Sequence, residues 1–110
     1  MLDACADVFV ALADPSRRLI LERLAEVGPQ SASTLATDMP ISRQAVLKHL
    51  VNLSDAELVG SRRAGREVLF VARPARLRVT AEMLEQIGDV WSVKLQNLKA
   101  SIEAMDNEDL

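Results

Sequence analysis

The stretch from Pro40 to Leu53 constrains this chain most, because it predicts one helix, over residues 42–54, with a marked start and two unlike faces. Ser42 is a typical N-cap, whose hydroxyl accepts a hydrogen bond from a backbone N–H of the first turn. At the helical period one face is apolar and is expected to join a core, while the other face is left for a partner. The apolar face carries Val46, Leu50 and Leu53, and the opposite face carries Arg43, Gln44, Leu47, Lys48, Val51 and Asn52.

The opposite face is typical of a helix that reads DNA bases. Arginine, lysine, glutamine and asparagine pair with guanine and adenine edges in the major groove, and apolar side chains contact the thymine methyl group. An ordinary solvated face has a similar composition, so the neighbouring elements must decide between the two interpretations. The residues predicted to contact DNA from this helix are Ser42, Arg43, Gln44, Leu47, Lys48 and Asn52.

Three helices are predicted before this one. The first covers residues 3–13, and the second opens at Asp14, an N-cap followed by proline, and stops near Gly28. The third is capped by Ser31 or Ser33 and runs to about residue 38. A short helix, a tight connection and a helix with an exposed polar face form a helix-turn-helix, which favours the DNA interpretation.

After the helix the apolar period changes to two, which predicts a hairpin. Residues 58–63 and 66–71 are two short strand-like runs around Ala64-Gly65. The tip is basic and is expected to reach phosphates or the minor groove. The other interpretation is charge that protects an edge strand from aggregation, and both can hold. The basic residues of this wing are Arg62, Arg63 and Arg66.

A long last helix is predicted from Pro74 to about Met105. Its apolar stripe exceeds what a small core can cover, as does the stripe of the first helix. We therefore expect the first and last helices to pair in a two-fold homodimer. The predicted dimer residues are Val8, Phe9, Leu12, Leu84, Ile87, Trp91, Leu95 and Leu98.

Length and charge fit one DNA-binding domain. A chain of 110 residues, 49% of them hydrophobic, suits a single domain over residues 1–105, followed by an acidic tail at 106–110 that we expect to fray. The formal net charge of −3 excludes a uniformly basic nucleic-acid binder. Residues 41–79, however, contain eight basic and three acidic side chains, so positive charge is concentrated where DNA contact is predicted.

Other classes of protein are poorly supported. One cysteine, Cys5, forms no internal disulfide, and neither a leader peptide nor a membrane span is evident, so we expect a cytoplasmic protein. Cys5 is interpreted as a small hydrophobe, with a redox switch across a dimer as the alternative. His49, at the margin of the apolar face, is expected to be structural and hydrogen-bonded. We predict no catalytic residue, no metal and no cofactor.

Two segments resemble the ArsR-like winged-helix repressors: Leu12-Ala-Asp-Pro-Ser-Arg-Arg18 and Ile41-Ser-Arg-Gln-Ala-Val-Leu-Lys-His-Leu50. The likeness covers nearly the whole chain. It implies a mostly α winged helix-turn-helix of about five helices with a small β-hairpin wing. It also implies a dimeric bacterial repressor that binds double-stranded DNA and releases it on a signal. The alternative function is a winged-helix module that binds other proteins without specific DNA binding.

The chain departs from the family's pattern in two places. Metal-sensing members carry cysteines before the recognition helix, or histidine and carboxylate ligands on the terminal helix. Residues 33–39 contain no cysteine and the terminal helix contains no histidine, so the usual metal ligands are missing. Leu47 stands where the family often has a small hydroxyl residue, which suggests an apolar contact with DNA.

Arg17 and Arg18 lie in the first turn of the second helix, where positive charge opposes the helix dipole. They therefore need a compensating partner, for which Asp14, Glu22 or a DNA phosphate could serve.

Overall fold

The structure is a computed structural model that describes residues 2–108, and the side chains of residues 5–105. Within that range it contains five helices and one antiparallel hairpin, which confirms the predicted mostly α fold. The chain forms two compact units, one up to Arg78 and one from Val79 onward. The elements are α1 (Leu2–Ala13), α2 (Pro15–Val27), α3 (Ala32–Thr37), α4 (Arg43–Asp55), β1 (Val59–Ala64), β2 (Glu67–Ala72) and α5 (Ala75–Glu108).

Helix α2 begins and ends where its sequence predicts. The Asp14 carboxylate accepts hydrogen bonds from the backbone N–H groups of Ser16 (2.8 Å) and Arg17 (3.3 Å). Gly28 ends the helix at a φ of 95°, and its N–H donates to the carbonyl of Leu24 at 3.0 Å. That φ lies in the region that glycine adopts without steric cost, which explains why the helix stops there.

Serine hydroxyls start the next two helices. Ser31 Oγ accepts from the N–H of Thr34, and Ser42 Oγ accepts from the N–H of Ala45, both at 3.1 Å. The Ser42 cap is thus confirmed, and of the two candidates for α3 the cap is Ser31. Because α3 has only six residues, its cap and its packing must hold it in place.

The arginines at the start of α2 find their partners at the end of α1. Arg17 donates from Nε to the carbonyl of Ala11 at 2.8 Å and from Nη2 to the carbonyl of Val10 at 3.1 Å. Arg18 donates from Nη1 to the carbonyl of Leu12. The expected ion pair with Asp14 is marginal, at 4.0 Å from Arg17. These bonds join α1 to α2. They are favourable because the carbonyl groups at the C-terminal end of α1 form the negative end of its helix dipole, which attracts cations.

The core of the first unit lies between the short helices and the base of the hairpin. The predicted apolar face of α4 is confirmed, since its three members are completely buried. One prediction is wrong: Val8 is also 0% exposed and packs in this core, so it is not free for a dimer interface. The largest fully buried side chains are Val8, Ile20, Val46, Leu50, Leu53, Leu58 and Val59.

The hairpin turns one residue later than predicted. Ala64 pairs with Glu67, so the loop is Gly65-Arg66 rather than Ala64-Gly65. Gly65 has a φ of 65°, as the first position of a type II′ turn requires. At its base, Phe70 exchanges two backbone hydrogen bonds with Gln30, at 2.8 and 3.1 Å, which fixes the wing beside the start of α3.

Helix α5 is 34 residues long and continues to Glu108, beyond the predicted end at residue 105. Residues 109–110 of the predicted acidic tail lie outside the described residues. Across the described part of the chain, no helix combines the length and apolar character that a bilayer span needs.

Candidate nucleic-acid interface

The outer face of α4 is exposed at every polar position. It lies opposite a ridge of three side chains that are 0% exposed, so the buried ridge sets the orientation of the outer face. Leu47 differs from the rest of the predicted set, because it is half-buried and packs against the core. The exposed members of the predicted set on α4 are Ser42, Arg43, Gln44, Lys48 and Asn52.

Arg43 is oriented by a neighbouring helix. Its Nε donates to Ser33 Oγ, in α3, at 2.9 Å. The bond uses one N–H of the guanidinium group and leaves the terminal nitrogens for another partner. The sequence indicated Ser33 only as a possible cap, because a serine ten residues before Arg43 carries no local signal of this contact.

The three wing arginines are exposed but do not share one face. Arg62 pairs with Leu69 and Arg63 pairs with Val68 across the hairpin. Because successive residues of a strand point to opposite faces, Arg62 and Arg63 project from opposite sides of the wing. Arg66 lies in the loop at the tip. Positive charge therefore surrounds the wing.

A groove of about 350 Å³ lies between the wing and the first turns of α4. Arg43 and Leu47 line it from α4, and Arg66 and Phe70 line it from the hairpin. The structure thus brings predicted residues of the helix and the wing around one concave surface. Glu67 also lines the groove, so it is not uniformly basic.

The C-terminal end of α4 is held by a clamp that sequence reasoning missed. Arg76 Nη1 donates to the carbonyl of Ala56 at 3.1 Å and to Asp7 Oδ2 at 2.9 Å. Its Nε lies 3.8 Å from Glu57 Oε2, and Glu57 adopts a φ of 59°. These contacts join α1, the end of α4 and the first turn of α5, and so help to fix α4 in the unit that ends at Arg78.

The pKa of Asp14, at the start of α2, is lowered by its surroundings. Desolvation raises the pKa of Asp14, but hydrogen bonds from the N–H groups of Ser16 and Arg17, aided by the charges of His49 and Arg17, outweigh it and lower the pKa overall. His49 is half-buried on α4. Among the described residues the side chain of His49 makes no hydrogen bond, so that part of its prediction is wrong, and its charge acts on Asp14 instead.

The apolar stripe of α5 is uncovered in this chain. Each of its predicted dimer residues is at least 40% exposed. On α1, Phe9 is 36% exposed, while Leu12 is half-buried against the core. The exposed stripe residues on α5 are Leu84, Ile87, Trp91, Leu95 and Leu98.

Among residues 5–105, no three histidine, cysteine, aspartate or glutamate side chains come close enough to hold a metal ion. Cys5 is a free thiol and is buried, in keeping with its interpretation as a small hydrophobe.

Comparison with known proteins identifies the same domain. Residues 12–62 match a family described as a helix-turn-helix domain. The HTH-type transcriptional regulator Rv2034 of Mycobacterium tuberculosis is 48% identical over 94 residues, which are 86% of this chain and 84% of that protein.

Solved structures extend the likeness to nearly the whole chain. An ArsR-like transcriptional regulator from Rhodococcus sp. RHA1 has a TM-score of 0.85 and 44% identity, and the match covers 94% of both chains. The homodimeric winged helix-turn-helix DNA-binding domain of Mb0332 from Mycobacterium bovis has a TM-score of 0.64 and 28% identity, over 80% of this chain and 81% of that one. The chain belongs to the ArsR-like winged helix-turn-helix transcriptional regulators.

Proposed function

We propose that this chain is a homodimeric repressor that binds an inverted-repeat operator in double-stranded DNA through α4 and the basic wing. One observation carries the proposal: the outer face of α4 presents Gln44, Lys48 and Asn52, with Arg43 exposed in the first turn at its edge, and its inner face is completely buried. A helix held so firmly on one side keeps its outer side chains at fixed spacing, which reading base edges requires.

The helix and the wing take different parts in binding. Gln44 and Lys48, in the first two turns of α4, are where a recognition helix contacts base edges. Arg62, Arg63 and Arg66 on the wing contact phosphates, which adds affinity without sequence preference. Arg63 pairs with Val68, which lines the groove beside α4, whereas Arg62 projects from the opposite face of the hairpin.

Dimerisation accounts for the exposed apolar stripe of α5. We infer that a second copy covers residues such as Leu84 and Trp91, together with Phe9 of α1. A two-fold dimer sets two recognition helices about 34 Å apart, one turn of duplex DNA. Because the second half-site then binds intramolecularly, affinity rises without any new contact.

Repression follows from occupancy. A dimer that covers its operator excludes other proteins from the same stretch of DNA, and its release restores access. We place this activity in the bacterial cytoplasm, where the chromosome lies, and assign no catalytic role and no cofactor to the chain.

The test is selection of bound sequences from a random duplex pool, followed by titration of the enriched duplex at several salt concentrations. Lys48→Ala should cost about 1–3 kcal/mol at one operator position, whereas Arg62→Ala should weaken binding to all sequences and reduce the salt slope by about one. Lys99→Ala, on the exposed surface of α5, is the matched loss of charge and should change neither.

Two outcomes would oppose the proposal. If neither Lys48→Ala nor Arg62→Ala alters affinity at moderate salt, the assigned surface is wrong. A pool that yields no enriched sequence would favour the module that binds only proteins.

A further inference from the structure

Two apolar side chains interrupt the polar outer face of α4. Leu47 and Val51 are four residues apart, so they lie one above the other on the same side of the helix. Val51 is 60% exposed, although burial of valine is favourable. Leu47 is half-buried and packs against the core, which holds it in place. The pair therefore forms a fixed apolar strip on the surface expected to meet DNA.

This strip forms the floor of a shallow depression. Leu47 and Val51 line it together with Ala45, while Gln44 and Lys48 contribute the polar part of its lining. A phosphate group matches such a floor poorly, because its charged oxygens would lose water without gaining hydrogen bonds from apolar carbons. A small apolar group flanked by hydrogen-bonding groups matches it well.

We infer that this depression takes the C5-methyl group of a thymine in each half of the operator, so that Leu47 and Val51 determine part of the sequence specificity. Thymine is the base that presents a methyl group in the major groove, and cytosine lacks it. Gln44 suits an adenine edge and Lys48 suits a guanine edge beside it. The inference rests on the proposed function, and names one class of base that the helix selects.

The competing explanation is that Val51 is an ordinary surface valine. Val27, on α2, is 63% exposed and lies outside the depression, so such exposure does occur in this chain without a DNA role assigned to it. Exposure alone thus does not separate the two explanations. The dependence of binding on a single methyl group does.

The experiment uses the full chain and the operator enriched from the random pool. Each thymine is replaced in turn by deoxyuridine, which removes the methyl group and keeps the base pairing, and affinity is measured by fluorescence anisotropy at constant salt. We expect one or two positions per half-site at which the loss of the methyl group weakens binding about three- to fivefold. The remaining thymines should be neutral.

Variants then locate the protein side of the contact. In Val51→Ala, the penalty for deoxyuridine at the sensitive position should fall to nearly onefold, and Leu47→Ala should do the same. Val27→Ala removes an equally exposed valine elsewhere and should keep the full penalty. Because Leu47 also packs against the core, circular dichroism should first establish that its variant is folded, and Val51→Ala remains decisive if it is not.

A reciprocal arm adds the methyl group instead of removing it. With a cytosine·guanine pair at the sensitive position, replacing cytosine by 5-methylcytosine should raise the affinity of the wild-type chain about three- to fivefold and leave that of Val51→Ala unchanged.

The outcomes separate the inference from the proposed function. An enriched operator at which every deoxyuridine is neutral, or at which Val51→Ala keeps the full penalty, would overturn the methyl contact while leaving the repressor proposal standing. A pool without any enriched sequence would instead overturn the proposed function itself.

Discussion

Helices α4 and α5 are both amphipathic, yet they end in opposite situations. In α4, Val46, Leu50 and Leu53 are 0% exposed, and the core of the same chain covers them. In α5, the apolar side chains from Leu84 to Met105 are between 40% and 65% exposed. Helical spacing predicts that a helix has an apolar face, but it does not say which molecule covers that face. The difference supports the proposal that α4 serves folding and DNA recognition, whereas α5 serves association.

The largest expected effect comes from placing charge on the uncovered stripe. Leu84→Asp combined with Trp91→Asp should yield a monomer. Each chain would otherwise bury two unpaired carboxylates in an apolar interface, which is energetically costly. Operator affinity should fall by about 10²–10⁴-fold, since each half-site then binds alone. Sedimentation measures the mass and a mobility shift measures the affinity.

The control places the same charges on the other side of the same helix. Gln86→Asp combined with Asn97→Asp should leave the dimer and its affinity intact. A wild-type chain that sediments as a monomer at micromolar concentration and still binds an inverted repeat tightly would contradict the proposed role of α5 in association.

A pair of leucine truncations tests the comparison through stability. Leu50→Ala leaves a cavity at a completely buried site of α4 and should cost about 2–5 kcal/mol at any protein concentration. Leu95→Ala, at a site of α5 that is 59% exposed in one chain, should instead lower the melting temperature by an amount that depends on concentration. Equal losses that do not vary with concentration would mean that α5 has no partner.

The sequence predicted the helix-turn-helix well because its boundaries depend on local chemistry. Asp14, Ser42 and Gly28 act on backbone groups within a few residues, so their effect is visible in the sequence itself. The loop of the hairpin was misplaced by one residue, since a glycine fits either of two loop positions and the register depends on packing at the base of the strands.

The errors concern contacts between elements. Val8 and Phe9 are consecutive residues of α1. Their spacing alone could not show that Val8 is buried in its own chain while Phe9 is 36% exposed. The same holds for Arg43 with Ser33 and for Arg76 with Asp7, which are 10 and 69 residues apart in sequence. These pairs depend on how helices pack, and no local pattern records them.

A smaller effect distinguishes the capped start of α4 from the middle of α5. Ser42→Ala should destabilise the chain by about 0.5–2 kcal/mol, because the N–H of Ala45 loses its acceptor. Ser92→Ala, at an exposed position inside α5, should change stability by less than about 0.5 kcal/mol. Urea unfolding of both variants at one protein concentration makes the comparison, and a Ser42→Ala chain as stable as wild type would show that α4 does not depend on its cap.

The smallest effect is the pH dependence of the stability that Asp14 contributes at the start of α2, near His49 of α4. The pKa of Asp14 is lowered in the folded chain, because the hydrogen bonds from Ser16 and Arg17 outweigh desolvation. A carboxylate with a lowered folded pKa adds stability that is complete above its unfolded value of about 3.9 and is lost as the pH falls through the folded value. Asp14→Asn keeps a capping side chain but removes this titration. The wild-type chain should therefore exceed Asp14→Asn in urea midpoint at pH 7 by a small margin that shrinks below about pH 4. Asp14→Ala, which loses the cap as well, should be less stable than Asp14→Asn throughout. A margin that stays constant or grows on acidification would mean that the ionised carboxylate does not stabilise this junction, and that the α1 carbonyls bound by Arg17 and Arg18 hold it without help from Asp14.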